Sequence, residues 1–425
     1  MNGDRLALEI VEREGKVELV GRISALLREK YVYPEIAENM VTFVEGKMAS
    51  GEYERVTTAL EFAETLTSDL QEISKDLHLR VVFDPKRAEQ LLKSPDQRGD
   101  ADQREIERAR KHNFGFKRVE QLKGNVGYLD LRHFFDPRIA GETAAAAMRF
   151  LAESDAVIVD LRHNGGGNPN MVQLLCSYFF GSERPVHLNS IYSRPKDKTW
   201  QYWTLPYVPG KRMPEVALYV LTSGHTFSGA EEFVYNMTHL QRGTIVGEKT
   251  AGGCNPASIE VLSRGFFMAV PHGTSINPVT QGNWEGVGIQ PHIETAQEAA
   301  LETAHLRACQ ELIECSDDPG QRQRLTWLAE EVQAHYRPVT LPESTLREYA
   351  GDYGERAVRL RDGTLAYQRH FLKFELRPLS ETLFWLEGPE TGGESRVEFM
   401  LDGDGNVKEL TALYPDGRTM SWVKR

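Results

Sequence analysis

Two short apolar runs, residues 156–161 and 216–221, restrict this chain more than anything else in it. Both are nearly free of polar side chains and neither alternates. Runs of that length are short for helices and read as strands covered on both faces. Each passes straight into a glycine-bearing turn, Asn164-Gly165-Gly166-Gly167 in the first and Ser223-Gly224-His225 in the second. Helical stretches follow, over 171–180 and from 229 to about 240. Strand, turn and helix in succession predict an α/β domain around a buried sheet, with the alternation continuing to about residue 291.

At 425 residues the chain is too long for one ordinary core. Residues 1–75 read as a bundle of three amphipathic helices, with Tyr31-Val32-Tyr33-Pro34 breaking the pattern after the first. The α/β core is expected over 76–296, with a polar insertion at about 93–115. Residues 297–337 read as a helical linker, interrupted at Asp317-Asp318-Pro319-Gly320. Over 338–425, short alternating runs are punctuated by Asp-Gly pairs at 362–363, 402–403, 404–405 and 416–417. That pattern predicts an antiparallel β-domain of six to eight strands.

Net charge is −12, which argues against a nucleic-acid backbone as the main partner. No apolar run approaches the ~18 residues of a membrane helix. Cys176, Cys254, Cys309 and Cys315 show no metal-type pairing and are expected as thiols. The first residues lack the apolar core of a signal peptide. This fits a cytoplasmic protein, or a periplasmic or secreted one whose leader has been removed.

The second turn leads into Thr226-Phe227-Ser228-Gly229-Ala230-Glu231. A serine at a helix N-terminus sits where backbone N–H groups and the dipole favour developing negative charge, a setting for a nucleophile. The same Ser-x-x-Glu is also a capping box, with Glu231 reaching back. A nucleophilic serine needs a base. Candidates are His225 in the turn, His78 where a helix gives way to a strand, His163, His272 and His292. The Gly165-Gly166-Gly167 run suits either an anion-binding turn or a tight strand-to-helix connection. Glu285, in a glycine-rich turn, suits an orienting carboxylate or a solvated one. Trp200, Tyr202, Trp203 and Tyr207 suit an apolar subsite, ordinary packing or a covering flap.

Four segments in order, Asp160 to Gly167, Thr226 to Glu231, Val246-Gly247-Glu248-Lys249-Thr250, and Glu285-Gly286-Val287-Gly288-Ile289-Gln290-Pro291, resemble the S41 serine peptidases. That family includes the tail-specific processing proteases, tricorn core proteases and repeats of interphotoreceptor retinoid-binding protein. The resemblance covers about residues 15–295. Tail-specific members use a Ser–Lys dyad, the lysine 25 residues past the serine. Here that position is Gly253. The tricorn-like and retinoid-binding-like branch uses Ser–His–Glu, with histidine in an Asp-x-His element and glutamate in a Glu-Gly-x-Gly turn. Asp76-Leu77-His78 and Glu285 match those elements. Tail-specific members also carry a PDZ module, for which the 45 or so residues between Val81 and Val126 are too few.

The resemblance implies an α/β (α+β) fold, a ββα-spiral (ClpP/crotonase-like) core with an N-terminal helical bundle and a C-terminal antiparallel β-domain. It implies a serine peptidase with Ser228 as nucleophile, His78 as base and Glu285 orienting it. Amides of Gly229 and of Gly165 or Gly166 would form the oxyanion hole, and Trp203 and Tyr202 would line the substrate site. Neither metal nor organic cofactor is called for. The expected partner is a peptide or protein substrate, with no nucleic acid and no membrane span; the β-domain suits a lid or a homo-oligomer contact. The rival readings are a non-catalytic module for lipophilic ligands and an esterase or amidase with the same triad.

Overall fold

Helical spacing of apolar side chains builds the first layer. The computed structural model describes residues 12–92, 106–263, 265–388 and 396–425. Helices α1 (Arg13–Lys30), α2 (Pro34–Ala49) and α3 (Ala59–Ser74) bury Ile23, Leu27, Met40, Val44, Phe62 and Leu66 in one cluster. Pro34 starts α2, where its missing N–H has no helical partner to lose. Thr58 caps α3 by accepting the Glu61 N–H at 3.3 Å. Helix α3 then stops on Lys75, whose φ of 59° and ψ of 11° are left-handed. The chain turns out through Asp76-Leu77-His78 into strand β1 (Arg80–Phe83) and helix α4 (Pro85–Leu92). The packing of α3 thereby sets where His78 emerges.

The α/β part follows. In chain order it contains β2 (Phe116–Leu122), β3 (Val126–Leu131), α5 (Pro137–Leu151), β4 (Ala156–Asp160), α6 (Pro169–Ser177), β5 (His187–Ser193), β6 (Lys198–Trp203), β7 (Ala217–Thr222), α7 (Gly229–His239) and β8 (Thr244–Gly247). Then come β9 (Ala257–Val261), β10 (Phe266–Pro271), β11 (Gly273–Ile276) and β12 (Ile293–Glu294). A six-stranded sheet has the order β12-β8-β7-β4-β3-β2, with β12, β8, β7 and β4 parallel. Every residue of β4 is buried, as its uninterrupted apolar run requires, and so is every residue of the neighbouring β3. Val157, Val159, Val220, Met171 and Phe233 share the core beneath it. Two antiparallel three-stranded sheets, β1-β10-β9 and β11-β5-β6, complete this part.

The expected alternation of strand and helix up to about residue 291 stops at α7. From β8 to β12 the described residues form five strands with no helix between them. Gly252, Gly253, Pro256, Pro271 and Pro278 interrupt each run before helical turns can accumulate.

The chain falls into two compact units, Met1–Gln121 with Gly127–Ala300, and Leu122–Val126 with Leu301–Arg425. The second unit carries the helices α8 (Ala300–Cys315, entered at its second residue), α9 (Pro319–Tyr336) and α10 (Glu343–Tyr349). Eight strands follow: β13 (Gly351–Tyr353), β14 (Arg356–Arg361), β15 (Thr364–Arg369), β16 (Leu372–Pro378), β17 (Leu383–Glu387), β18 (Arg396–Leu401), β19 (Val407–Leu413) and β20 (Thr419–Val423). Each pairs antiparallel with the next. A bridge between Tyr353 and Lys424, with the Arg425 N–H on Asp352 O at 2.9 Å, draws the last strand to the first in a near-barrel. Its core holds Tyr353, Phe384, Phe399 and Leu410. Most of the polar insertion lies outside the described residues. Among the described residues no helix is long and apolar enough to cross a membrane.

Lys75 holds a conformation that glycine adopts without steric cost. Lys75→Gly should therefore stabilise the fold by about 1 kcal/mol, read as a raised urea midpoint at unchanged slope.

Candidate active site

The nucleophile candidate is built by a strained turn. Ser228 precedes α7 at φ 55°, ψ −123°, a conformation that costs a non-glycine residue on the order of 1–3 kcal/mol. The Glu231 carboxylate offsets that cost. It accepts the Ser228 N–H at 2.9 Å, the reach-back of a capping box. It also accepts from Thr250 Oγ1 at 2.5 Å, Gly252 N at 2.7 Å and Gly253 N at 2.8 Å. Burial raises the pKa of Glu231 despite those four bonds.

The Ser228 hydroxyl meets His78 Nε2 at 3.0 Å. The imidazole lies against the Phe227 ring, centroids 4.4 Å apart. Its backbone N–H donates to Asp76 Oδ1 at 3.0 Å, so Asp76 fixes the His78 loop. Asp76 is itself fully buried and receives Asn255 Nδ2 at 2.9 Å and the Tyr31 hydroxyl at 3.4 Å. Burial first, and Arg80 second, push the His78 pKa down to about 4. A neutral imidazole at pH 7 is the form that takes a proton from a hydroxyl.

Behind the ring stand two carboxylates. Glu285 Oε2 accepts the N–H of Cys254 at 2.6 Å and of Asn255 at 3.1 Å. Its Oε1 has no hydrogen bond, and neither has His78 Nδ1. One ligand-type atom each of Asp76, His78 and Glu285 lies within 4.8 Å of the others, a spacing that would also admit a metal ion. Asp76 Oδ1 is 3.8 Å from His78 Nδ1. Burial, reinforced by the charge of Asp76, raises the Glu285 pKa to about 7, and burial raises that of Asp76. Glu285 thus comes beside His78 without a direct hydrogen bond.

Gly253, 25 residues past Ser228, has no room for a side chain. A Cβ there would lie 2.1 Å from the Phe227 ring and 2.9 Å from His78 Cε1.

Among the amides expected to form an oxyanion hole, that of Gly166 is already engaged. It donates to Asn164 Oδ1 at 2.8 Å. Gly166 nonetheless packs on Ser228, since a Cβ there would come 2.8 Å from Ser228 Cβ. Gly229 opens α7, where the first helical N–H groups have no carbonyl four residues back.

The other histidines lie elsewhere. His225 stacks on His163 with centroids 6.3 Å apart, His272 Nδ1 meets Ser193 Oγ at 3.3 Å, and His292 Nδ1 accepts the Ile245 N–H at 2.9 Å. Tyr202 and Trp203 lie on β6; Tyr202 is half-buried, whereas Trp203 is exposed and stacks on His187 at 4.5 Å. Burial pushes the Cys254 thiol well above its ordinary range, so it is no thiolate. Sequence reasoning assigns no role to Tyr31, Asn255 or the Asp76 carboxylate. The Asp-x-His spacing is the one available signal for Asp76.

A serine hydroxyl on a buried neutral histidine, at a strained strand-to-helix turn of an α/β core, is the geometry of serine hydrolases as a class. Residues 125–295 match the model of peptidase family S41. Residues 5–111 match the N-terminal domain of peptidase S41 in eukaryotic IRBP. The two matches together take in well over half of the chain, and the chain belongs to peptidase family S41.

Three solved structures are similar. A protein of Bacteroides fragilis NCTC 9343 proposed to be an S41 protease shares 21% identity over 44% of this chain and 52% of its own, TM-score 0.39. The photosystem II D1 C-terminal processing protease shares 14% over 68% and 95%, TM-score 0.43. The tricorn protease shares 12% over 76% and 37%, TM-score 0.43. This chain therefore spans about half of the Bacteroides protein.

Gly253→Ala should displace His78 from Ser228 and lower fluorophosphonate labelling of Ser228 by at least ~100-fold, with the fold retained by circular dichroism. Glu231→Gln, which leaves one carboxylate oxygen's donors facing an NH₂ group, should lower both labelling and stability.

Proposed function

We propose that this chain is a serine-type peptidase that hydrolyses peptide or protein substrates through an acyl-enzyme, with Ser228, His78 and Glu285 as its triad. The 3.0 Å contact between His78 Nε2 and Ser228 Oγ carries this reading. Ser228 Oγ attacks the scissile carbonyl while His78 Nε2 takes its proton and then delivers it to the leaving amine. Water attacks the resulting ester by the same route in reverse, regenerating Ser228. Glu285 stabilises the imidazolium from the Nδ1 side once that nitrogen turns toward its unpaired Oε1. The N–H of Gly229, together with that of Gly165, receives the oxyanion. Tyr202 and Trp203 border the substrate on the β5–β6 hairpin. The absence of a lysine at 253 and the filled space around it favour the Ser–His–Glu branch of the family.

Intact-mass analysis after fluorophosphonate treatment tests this directly. Wild type should gain one adduct, Ser228→Ala none, and His78→Ala should label at least ~10³-fold more slowly. Unabated labelling of His78→Ala would remove His78 as the base.

The pH profile separates the two ionisations. Glu285 has to be ionised to support the imidazolium, and its pKa is raised to about 7. The labelling rate should therefore rise with pH through about 7. His78, lowered to about 4, remains neutral across that window. Glu285→Gln should remove the limb near 7 and lower the plateau, measured as second-order labelling constants between pH 4 and 9.

A further inference from the structure

Behind the His78 ring, two polar atoms are shielded from solvent and have no hydrogen-bond partner, His78 Nδ1 and Glu285 Oε1. Asp76 Oδ1 stands 3.8 Å from that Nδ1 and receives the His78 backbone N–H at 3.0 Å. One ligating atom from each of the three residues lies within 4.8 Å of those of the other two. Among the described residues no lysine or arginine forms an ion pair with Asp76 or Glu285. Their bonds come from neutral donors: Asn255 Nδ2, the Tyr31 hydroxyl and the backbone N–H groups of His78, Cys254 and Asn255. Two carboxylates thus share a small volume without a counter-charge, which is costly for both.

A divalent cation supplies that charge and occupies the unpaired atoms. One imidazole nitrogen and two carboxylate oxygens, with water as a fourth ligand, suit zinc, whereas calcium takes six or more oxygens. Zinc bonds of about 2.0–2.2 Å hold tetrahedral ligand atoms roughly 3.3–3.5 Å apart. The 3.8 Å gap between Asp76 Oδ1 and His78 Nδ1 therefore has to close by only a few tenths of an ångström. Glu285 is half-buried and is followed by the exposed Gly286 and Val287, so it reaches inward from a solvent-facing turn. A Cβ at Gly286 would meet nothing nearer than Lys75 at 3.9 Å.

We propose that Asp76 Oδ1, His78 Nδ1 and Glu285 Oε1 bind one zinc ion, and that the ion reversibly inhibits Ser228. Coordination takes the lone pair of Nδ1, so the ring proton resides on Nε2. That nitrogen then donates to Ser228 Oγ instead of accepting from it, and the serine has no base. Zinc takes no part in turnover. The ion site stands on the geometry alone; the inhibition rests on the peptidase reading above.

The test titrates the full chain, stripped with EDTA and exchanged into chelator-free buffer, with zinc chloride by calorimetry, and labels it with fluorophosphonate in parallel. Wild type should bind one ion with a Kd below ~10 μM. Saturating zinc should slow Ser228 labelling at least ~20-fold, and EDTA should restore it. Glu285→Gln and Asp76→Asn should each weaken zinc at least ~10-fold. The double variant His163→Ala/His225→Ala, which removes the exposed stacked pair, should bind as wild type does. Absence of a bound ion overturns the proposal, as does affinity that survives both carboxylate variants or is lost with His163 and His225. Zinc that binds without slowing a His78-dependent labelling reaction removes the inhibition. Carboxylate-dependent zinc binding with no labelling of the metal-free chain keeps the ion site and removes the peptidase. His78-dependent labelling without zinc binding keeps the peptidase and removes the ion site. Circular dichroism checks each variant's fold, and should Asp76→Asn not fold, Glu285→Gln reads the same affinity.

Discussion

Four consecutive backbone N–H groups, from Gly252 to Asn255, are divided between two buried carboxylates, and the site depends on that division. Glu231 takes those of Gly252 and Gly253, and Glu285 takes those of Cys254 and Asn255. Hydrogen bonds to an ionised acceptor contribute about 1.5–3 kcal/mol each. Here they are set against the desolvation of two acids, and both acids end with raised pKa values. The net contribution to stability is therefore small. The positional gain is large, because Glu231 also holds the Ser228 N–H and Glu285 stands behind His78. One loop thereby sets the Ser228 turn and the Glu285 carboxylate behind His78 in a common frame.

His78 reaches the same frame from another part of the chain. Its loop leaves the helical bundle at the left-handed Lys75, and Asp76 ties it to Asn255, the last residue of the shared loop. Trp284 adds a further tie, its Nε1 donating to Gly253 O at 2.9 Å next to Glu285. Ser228, His78 and Glu285 are far apart in sequence and are brought together by side chains that bond to one four-residue segment. A buried network of this kind is fully satisfied except at His78 Nδ1 and Glu285 Oε1. In the proposed mechanism those two atoms face the change in charge during proton transfer, and an unmet bond in the resting state leaves them free to form one when the imidazole becomes charged.

Much of this was legible in the residues. The runs at 156–161 and 216–221 are strands because neither has a polar face to expose, and both lie in the parallel part of the sheet. The Asp-Gly pair at 362–363 forms the β14–β15 turn with both residues at positive φ, as a two-residue hairpin needs. Other features depend on long-range geometry that spacing does not encode. The Gly166 amide, by contrast, is taken locally, by an Asx turn from Asn164 two residues earlier. Asp76 reads as a spacer before His78 until Asn255, 179 residues away, is found on its other oxygen. Nor does a Ser-x-x-Glu box reveal that its glutamate serves three further donors. The bond from the Ser228 N–H to Glu231 also orients the turn that presents the Ser228 hydroxyl to His78.

The bare position at Gly253 is likewise a packing outcome. A lysine at position 253 would need its Cβ where the Phe227 ring stands, and the imidazole of His78 closes the same space from the other side. In this chain the Phe227 ring and the His78 imidazole together fill the volume that a side chain at position 253 would occupy. The single hydrogen at Gly253 and the imidazole at His78 are in this sense one structural decision, made at two places separated by most of the catalytic core.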